Sequence, residues 1–155
     1  MKIGSVGRIA AAAFVIGTTG ATLVLAQTNP IIAERQQAMK SQGAAMGSVG
    51  PFIRNEQPFN QQTAVTAMTT VRDTAAKIPG LFPTGTGPGA GVTTRALPAV
   101  FTNSGDFAQK AGALQTAAAT ALQAAQSGNA DSFRTAFGAV GQACGACHTP
   151  YRAPQ

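Results

Sequence analysis

Apolar side chains recur at three- and four-residue steps through most of this 155-residue chain, a spacing typical of amphipathic α-helices. Asn29 can cap the first of these runs, with Pro30 at a position where a missing N–H costs nothing. Pro79 and Gly80 end the second run. The pattern predicts four helices, which run from Pro30 to between Val49 and Ile53, from near Pro58 to Ile78, from Ser104 to Ser127, and from Asn129 or Asp131 towards the C-terminus.

Each predicted helix carries one apolar face. Because mostly short turns join the helices, we expect these faces to be buried in an all-α, antiparallel four-helix bundle. The expected inward residues are Ile32, Met39, Gly43, Met46 and Gly50 in the first helix, Ala64, Met68, Val71, Ala75 and Ile78 in the second, Phe107, Ala111, Leu114, Ala118, Ala121 or Leu122, and Ala125 in the third, and Phe133, Phe137, Val140, Cys144 and Cys147 in the fourth.

The connection between the second and third helices has a different composition. Nine of the twenty residues over 79–98 are glycine or proline, and neither a helix nor a central strand tolerates that content. We expect residues 79–103 to form a solvent-exposed crossover loop that contributes little to the core. Shortening such a loop would leave the functional site unchanged.

Residues 1–26 precede the helical pattern. Lys2 and Arg8 stand before an uncharged run over residues 9–26 that ends in small and apolar residues. This order predicts a cleaved secretory signal peptide and a mature domain over residues 27–155, exported to the bacterial periplasm. The alternative is an uncleaved membrane anchor, because the run is long enough for a tilted span of roughly 17 to 20 residues.

Charge narrows the classes of function. Without the signal the chain keeps nine basic and five acidic residues, a net charge of about +4. The basic residues form no run and alternate with no aromatic residues, so we expect no nucleic-acid partner, and their excess favours an acidic partner only weakly. The chain has one histidine and scattered carboxylates. With no carboxylate pair and no nucleophile beside a base, we do not expect an enzyme.

Both cysteines and the single histidine lie within residues 144–148, the stretch CGACH. Helix positions three and four residues apart share a face. The side chains of Cys144, Cys147 and His148 can therefore bind the same ligand. Cys-x-x-Cys-His is the attachment signature of c-type haem, in which two thiols add to the porphyrin vinyl groups and the histidine binds iron. We expect one haem c per chain, bound covalently through Cys144 and Cys147, with His148 as the proximal ligand.

Other uses of the two thiols fit the sequence less well. A structural zinc site needs four ligands from cysteine and histidine, and the chain has three such residues. A thioredoxin-like dithiol lies at the start of a helix in a βαβ unit, whereas this pair follows a long helical pattern. A disulfide across two intervening residues would be strained, and it would leave His148 without a role.

The export signal, the four predicted helices and a Cys-x-x-Cys-His near the C-terminus together resemble the class II c-type cytochromes, which comprise cytochrome c′ and the low-spin cytochrome c-556 type. The resemblance covers essentially the whole mature chain. Residues 35–40 resemble the distal Arg-x-x-x-Met stretch of that family, and Tyr151-Arg152 resembles its Tyr-Arg or Phe-Arg ending. The resemblance implies a four-helix bundle with haem attached near the C-terminus of the fourth helix.

The residues alone leave the sixth iron ligand open. After signal removal the thioether candidates are Met39, Met46 and Met68, and periodicity does not choose among them. The resemblance implies Met39 as the distal iron ligand. Arg35, one turn before Met39, and Arg152 are candidates for charge-assisted hydrogen bonds to the haem propionates. A solvated side chain is the alternative role for Arg35.

Two functions follow for such a protein. In the first, Met39 and His148 hold a low-spin iron, and the protein transfers single electrons between periplasmic redox partners. In the alternative, a high-spin cytochrome c′ with an open distal site binds nitric oxide or another small gas. A helical bundle without haem is a third option. We expect no membrane partner after signal cleavage, and the resemblance leaves a homodimer open because high-spin family members often dimerise.

Overall fold

The computed structural model describes residues 29–89 and 93–154, so the predicted signal peptide lies outside the described residues. Four long helices in this part of the chain confirm the predicted all-α four-helix bundle. None of them combines the length and the hydropathy that crossing a membrane requires. The helices are α1 (Pro30–Ser48), α2 (Gly50–Ile53), α3 (Gln61–Lys77), α4 (Ala99–Thr102), α5 (Ser104–Gln126) and α6 (Ala130–Tyr151), and a 3₁₀ turn spans Ile78–Leu81.

Asparagine side chains start three of the long helices. The Oδ1 atoms of Asn29, Asn60 and Asn129 accept hydrogen bonds from backbone N–H groups in the first turns of α1, α3 and α6. These bonds satisfy donors that a helix start leaves without an intrahelical partner. Because Asn60 is the cap, α3 begins at Gln61 rather than near Pro58.

The inner helices α3 and α5 form the centre of the bundle. α3 packs against both α1 and α5, and α5 packs against α6. Every inward residue predicted for these two helices is buried, which confirms both faces. Among the described residues, α1 and α6 make no comparably broad contact. The bundle is therefore open between its first and last helices.

The inward face of α1 differs from the prediction. Ile32 is buried, but Gly43 is exposed, and Met39, Met46 and Gly50 are half-buried. The polar residues Arg35 and Gln42 are buried with Ala45 and Val49. Gln42 can be buried because its Nε2 donates a hydrogen bond of 2.9 Å to Thr74 Oγ1 on α3. The spacing of apolar residues does not predict that polar residues are buried on the same face when their side chains form such hydrogen bonds.

Aromatic residues fill the end of the bundle where α1 leads into α2. The ring centroids of Phe52 and Phe59 are 5.0 Å apart, and that of Phe133 lies 5.4 Å from that of Phe59. The guanidinium of Arg134 lies over the Phe52 ring at 4.4 Å and donates to the carbonyl of Ile53. In an antiparallel bundle this is the end opposite the C-terminus of α6.

The segment over residues 79–103 is only in part the exposed loop that its composition suggested. Residues 83–85, 88 and 89 are exposed, but Leu81, Thr86, Ala96 and Val100 are buried. The prediction that the segment contributes little to the core is therefore wrong. Glycine and proline exclude long helices and central strands, but they do not decide whether the side chains of a segment are buried. The apolar residues near the two ends of the segment pack against the long helices. The 3₁₀ turn contacts α1 and α5, and α4 contacts α5 and α6. Shortening the segment is therefore no longer expected to leave the site unchanged.

The end of this crossover segment pairs with the C-terminus. Ala96 and Arg152 form an isolated antiparallel bridge, and Leu97 N–H donates to the Tyr151 carbonyl at 3.0 Å. Pro150 lies in the last turn of α6, and a proline ring clashes with the preceding turn of a helix that continues. α6 ends one residue later, at Tyr151, and Arg152 is extended with φ −123° and ψ 126°.

Candidate haem-binding site

A cavity of about 300 Å³ opens between α1 and α6. This volume lies at the lower end of the range of small-molecule and cofactor sites, roughly 300–1,000 Å³. Five of the six residues predicted for the site line this cavity: Arg35, Met39, Cys147, His148 and Arg152. Cys144 is half-buried one turn earlier on α6 and is not among the lining residues.

The attachment motif lies on the last two turns of α6. Burial raises the pKa of both the Cys144 and the Cys147 thiols, with Lys110 partly opposing the shift at Cys147. The pKa of His148 is lowered by burial and then by the positive charges of Arg152 and Arg95. This shift favours the neutral imidazole, which is the form that binds metal. The donor set of two free thiols and one neutral imidazole fits haem attachment.

The three methionines of the described residues occupy different surroundings. Met39 is half-buried and lines the cavity. Met68 is fully buried in the core, and Met46 packs against the core from the side of α1. Neither Met46 nor Met68 is among the cavity-lining residues. Met39 is thus the methionine that shares a cavity with His148.

Arg35 is buried, with 4% of its surface exposed, and it is bonded to the crossover segment. Its Nε donates to the Leu81 carbonyl at 2.9 Å and its Nη1 to the Thr86 carbonyl at 3.2 Å. Its Nη1 also donates to Thr94 Oγ1 at 3.4 Å, and its Nη2 donates to Thr86 Oγ1 at 2.6 Å. A guanidinium has five N–H donors, so one remains for another acceptor such as a propionate. Arg35 is not the solvated side chain of the alternative prediction.

Replacing Arg35 with Ala should destabilise the protein by about 3 kcal/mol, because the Leu81 and Thr86 carbonyls would lose their partner in a buried place. Urea unfolding of the protein and the variant measures this change. Arg35→Lys should restore little of the loss, since an ammonium cannot reproduce the guanidinium fork. The control Arg72→Ala removes an exposed ion pair with Asp73 and should cost no more than about 0.5 kcal/mol. An equal loss of unfolding free energy in Arg35→Ala and Arg72→Ala would contradict a stabilising role for the hydrogen bonds of Arg35.

Cations are the charged residues that line the cavity. Arg35, Lys40, Arg95 and Arg152 are all lining residues, and within residues 29–89 and 93–154 no aspartate or glutamate is. Arg35 is buried, whereas the other three are exposed. A haem carries two anionic propionates, so this excess of positive charge fits the group as well as the apolar walls do.

The aromatic wall of the cavity was identified only in part, because the sequence pattern placed Phe107 inward but missed Phe82. The ring centroid of Phe107 lies 4.7 Å from that of Phe82 and 5.3 Å from that of Tyr151. Tyr151 Oη donates a hydrogen bond to Asp106 Oδ2, which raises the pKa of Tyr151 to about 12. Phe82 was missed because its whole segment was assigned to an exposed loop. The signal that could have identified Phe82 is the pair of adjacent apolar residues, Leu81 and Phe82, within a Gly/Pro-rich stretch.

Comparison with known proteins identifies the family. A family model described as cytochrome c′ matches residues 30–152. The chain belongs to the cytochrome c′ family. Membership of this family implies a covalently bound haem c, and it confirms the class II c-type resemblance.

Three relatives illustrate the range of the cytochrome c′ family. Cytochrome c-556 of Agrobacterium tumefaciens (strain B2A) is 37% identical over 121 residues, which cover 78% of this chain and 95% of the relative. Cytochrome c′ of Rhodopseudomonas palustris is 31% identical over 134 residues, covering 86% and 88% of the two chains. A solved nitric oxide complex of a mutant cytochrome c prime from Alcaligenes xylosoxidans has a TM-score of 0.71 at 26% identity, covering 81% and 95%. These relatives are bacterial proteins.

Proposed function

We propose that the protein is a periplasmic cytochrome that binds one haem c through Cys144 and Cys147, with His148 as proximal iron ligand and Met39 as distal ligand. The observation that carries the proposal is the shared cavity of Met39, Cys147 and His148. The predicted signal peptide supports the periplasmic location. The bound haem would supply an iron that changes oxidation state by one electron.

The protein's own residues then have separate tasks. Thioether bonds from Cys144 and Cys147 on α6 would tie the cofactor to the chain even when the fold opens. Phe82 and Phe107 provide apolar walls that exclude water, and Arg35 or Arg152 can neutralise propionates through charge-assisted hydrogen bonds. A Met39 thioether that held the iron in both oxidation states would keep the reorganisation on electron transfer small. Electron transfer is the function that this arrangement supports.

The gas-binding alternative is favoured by a different observation. The solved relative with nitric oxide bound is a cytochrome c prime, and the Rhodopseudomonas palustris relative is a cytochrome c′. The comparisons thus support the alternative better than ligation by Met39. In this alternative Met39 only fills space at the distal wall, as a flexible thioether commonly does, and a small gas binds the iron.

Mass and absorption measurements on the exported protein test the proposal. The mass after acid-acetone extraction should exceed that of the mature polypeptide by one haem. An apoprotein mass, from cells with a working cytochrome maturation system, would contradict haem attachment. Low-spin absorption spectra in both redox states would support the electron carrier with Met39 bound. A high-spin spectrum would instead select the gas-binding alternative.

A further inference from the structure

Three of the cations that line the cavity are exposed to solvent, and we call them the basic rim: Lys40, Arg95 and Arg152. We propose that this basic rim is a docking surface for the acidic face of a protein that exchanges single electrons with the haem. The proposal rests on the proposed function as an electron carrier. It adds the chemistry of the partner and the surface that the partner contacts.

The fold assembles the rim from three distant parts of the chain. Lys40 comes from α1, whereas Arg95 and Arg152 are brought together by the bridge between Ala96 and Arg152. The Arg95 guanidinium donates from Nε and Nη2 to the Ala153 carbonyl at 3.1 and 2.6 Å. A carbonyl is a neutral acceptor, so this contact orients Arg95 without removing its charge.

Within residues 29–89 and 93–154, no aspartate or glutamate forms an ion pair with the rim. The three ion pairs found among the described residues involve the basic side chains of Arg54, Arg72 and Lys110. Two haem propionates would neutralise at most two of the four cations that line the cavity. The mouth therefore stays positive with haem bound. A field of this kind raises association rates of oppositely charged partners by about 10 to 10³ at low salt.

A protein fits the rim better than a lipid surface does. Binding to anionic lipids typically uses clusters of about four to eight basic residues, whereas the rim has three. The rim also surrounds the cavity lined by Cys147 and His148, so a partner held there is close to the cofactor site. Electron transfer from such a donor protein would oxidise its own cofactor by one electron and reduce the ferric haem to ferrous. The acidic face of the partner protein binds the basic rim.

The test uses oxidised flavodoxin, a strongly acidic electron-carrier protein, as the probe. Titration of the ¹⁵N-labelled haem-bound protein should shift amide signals around Lys40, Arg95 and Arg152. Lys40→Glu and Arg95→Glu should each raise the dissociation constant about tenfold at low salt, and about 0.5 M salt should remove the difference. The control Arg54→Glu makes the same charge change at the other end of the bundle. It should change the dissociation constant less than twofold.

The outcomes separate this proposal from the proposed function. Equal weakening by Arg54→Glu and Lys40→Glu, or shifts confined to other surfaces, would overturn docking at the rim. Rim-dependent binding to vesicles of phosphatidylglycerol and phosphatidylcholine, without binding to flavodoxin, would assign the rim to a membrane instead. Absorption spectra check that each variant carries haem. An unmodified protein without haem refutes the proposed function, whereas haem-bound protein without rim-dependent binding refutes only the docking surface.

Discussion

Replacing Cys144 and Cys147 together with alanine is expected to abolish covalent haem attachment. No other cysteine exists in the chain, so no thiol remains to form a thioether with a porphyrin vinyl group. Acid-acetone should then extract any haem completely, and haem staining of a denaturing gel should be negative. The mass of the double variant should equal that of the mature polypeptide.

The single variants provide the matched controls. Cys144→Ala and Cys147→Ala each keep one thiol and should retain haem through one thioether bond, with reduced yield. Both cysteines are half-buried on α6, so their replacement should leave the helical circular dichroism spectrum unchanged. Covalent haem in the double variant would refute the attachment chemistry. Loss of helicity would instead indicate that the bundle requires its cofactor to fold.

The buried faces of the central helices were predictable because apolar residues at helical spacing are buried on both helices. α3 and α5 pack in the middle of the bundle, and their faces consist of alanine, leucine and other apolar residues at helical spacing. α1 lies at the edge beside a cavity, where the buried Arg35 satisfies its donors with crossover oxygens. That arrangement depends on a segment more than 40 residues away in sequence. Local periodicity carries no information about such a partner.

The candidate site was predictable to a similar extent. The motif of Cys147 and His148 has a fixed spacing, and the resemblance pointed to Met39. Met39 lies in the middle of α1 and lines the same cavity as His148 near the end of α6. The basic rim was not predictable. Lys40 and Arg95 looked scattered because their proximity depends on the path of the crossover segment and on its bridge to the C-terminus.

Met39→Ala is expected to convert a low-spin protein into a high-spin one. Met39 is the methionine in the cavity with His148, and Met46 lies two helical turns further along α1, roughly 10 Å away. The two thioethers therefore cannot reach the same iron. Removal of the Met39 thioether should leave the sixth position open, so that carbon monoxide binds the ferrous variant rapidly. Stopped-flow mixing and absorption spectra measure both changes.

Two other methionines are the controls for Met39→Ala. Met68 is fully buried in the core, so Met68→Ala should lower the free energy of unfolding by about 3 kcal/mol and leave the spin state unchanged. Met46→Ala, at a half-buried position, should cost less and also keep the spectrum. If the unmodified protein is already high spin, Met39 is not an iron ligand. Its replacement would then change only the space available to a gas molecule at the distal wall, and the gas-binding function would stand.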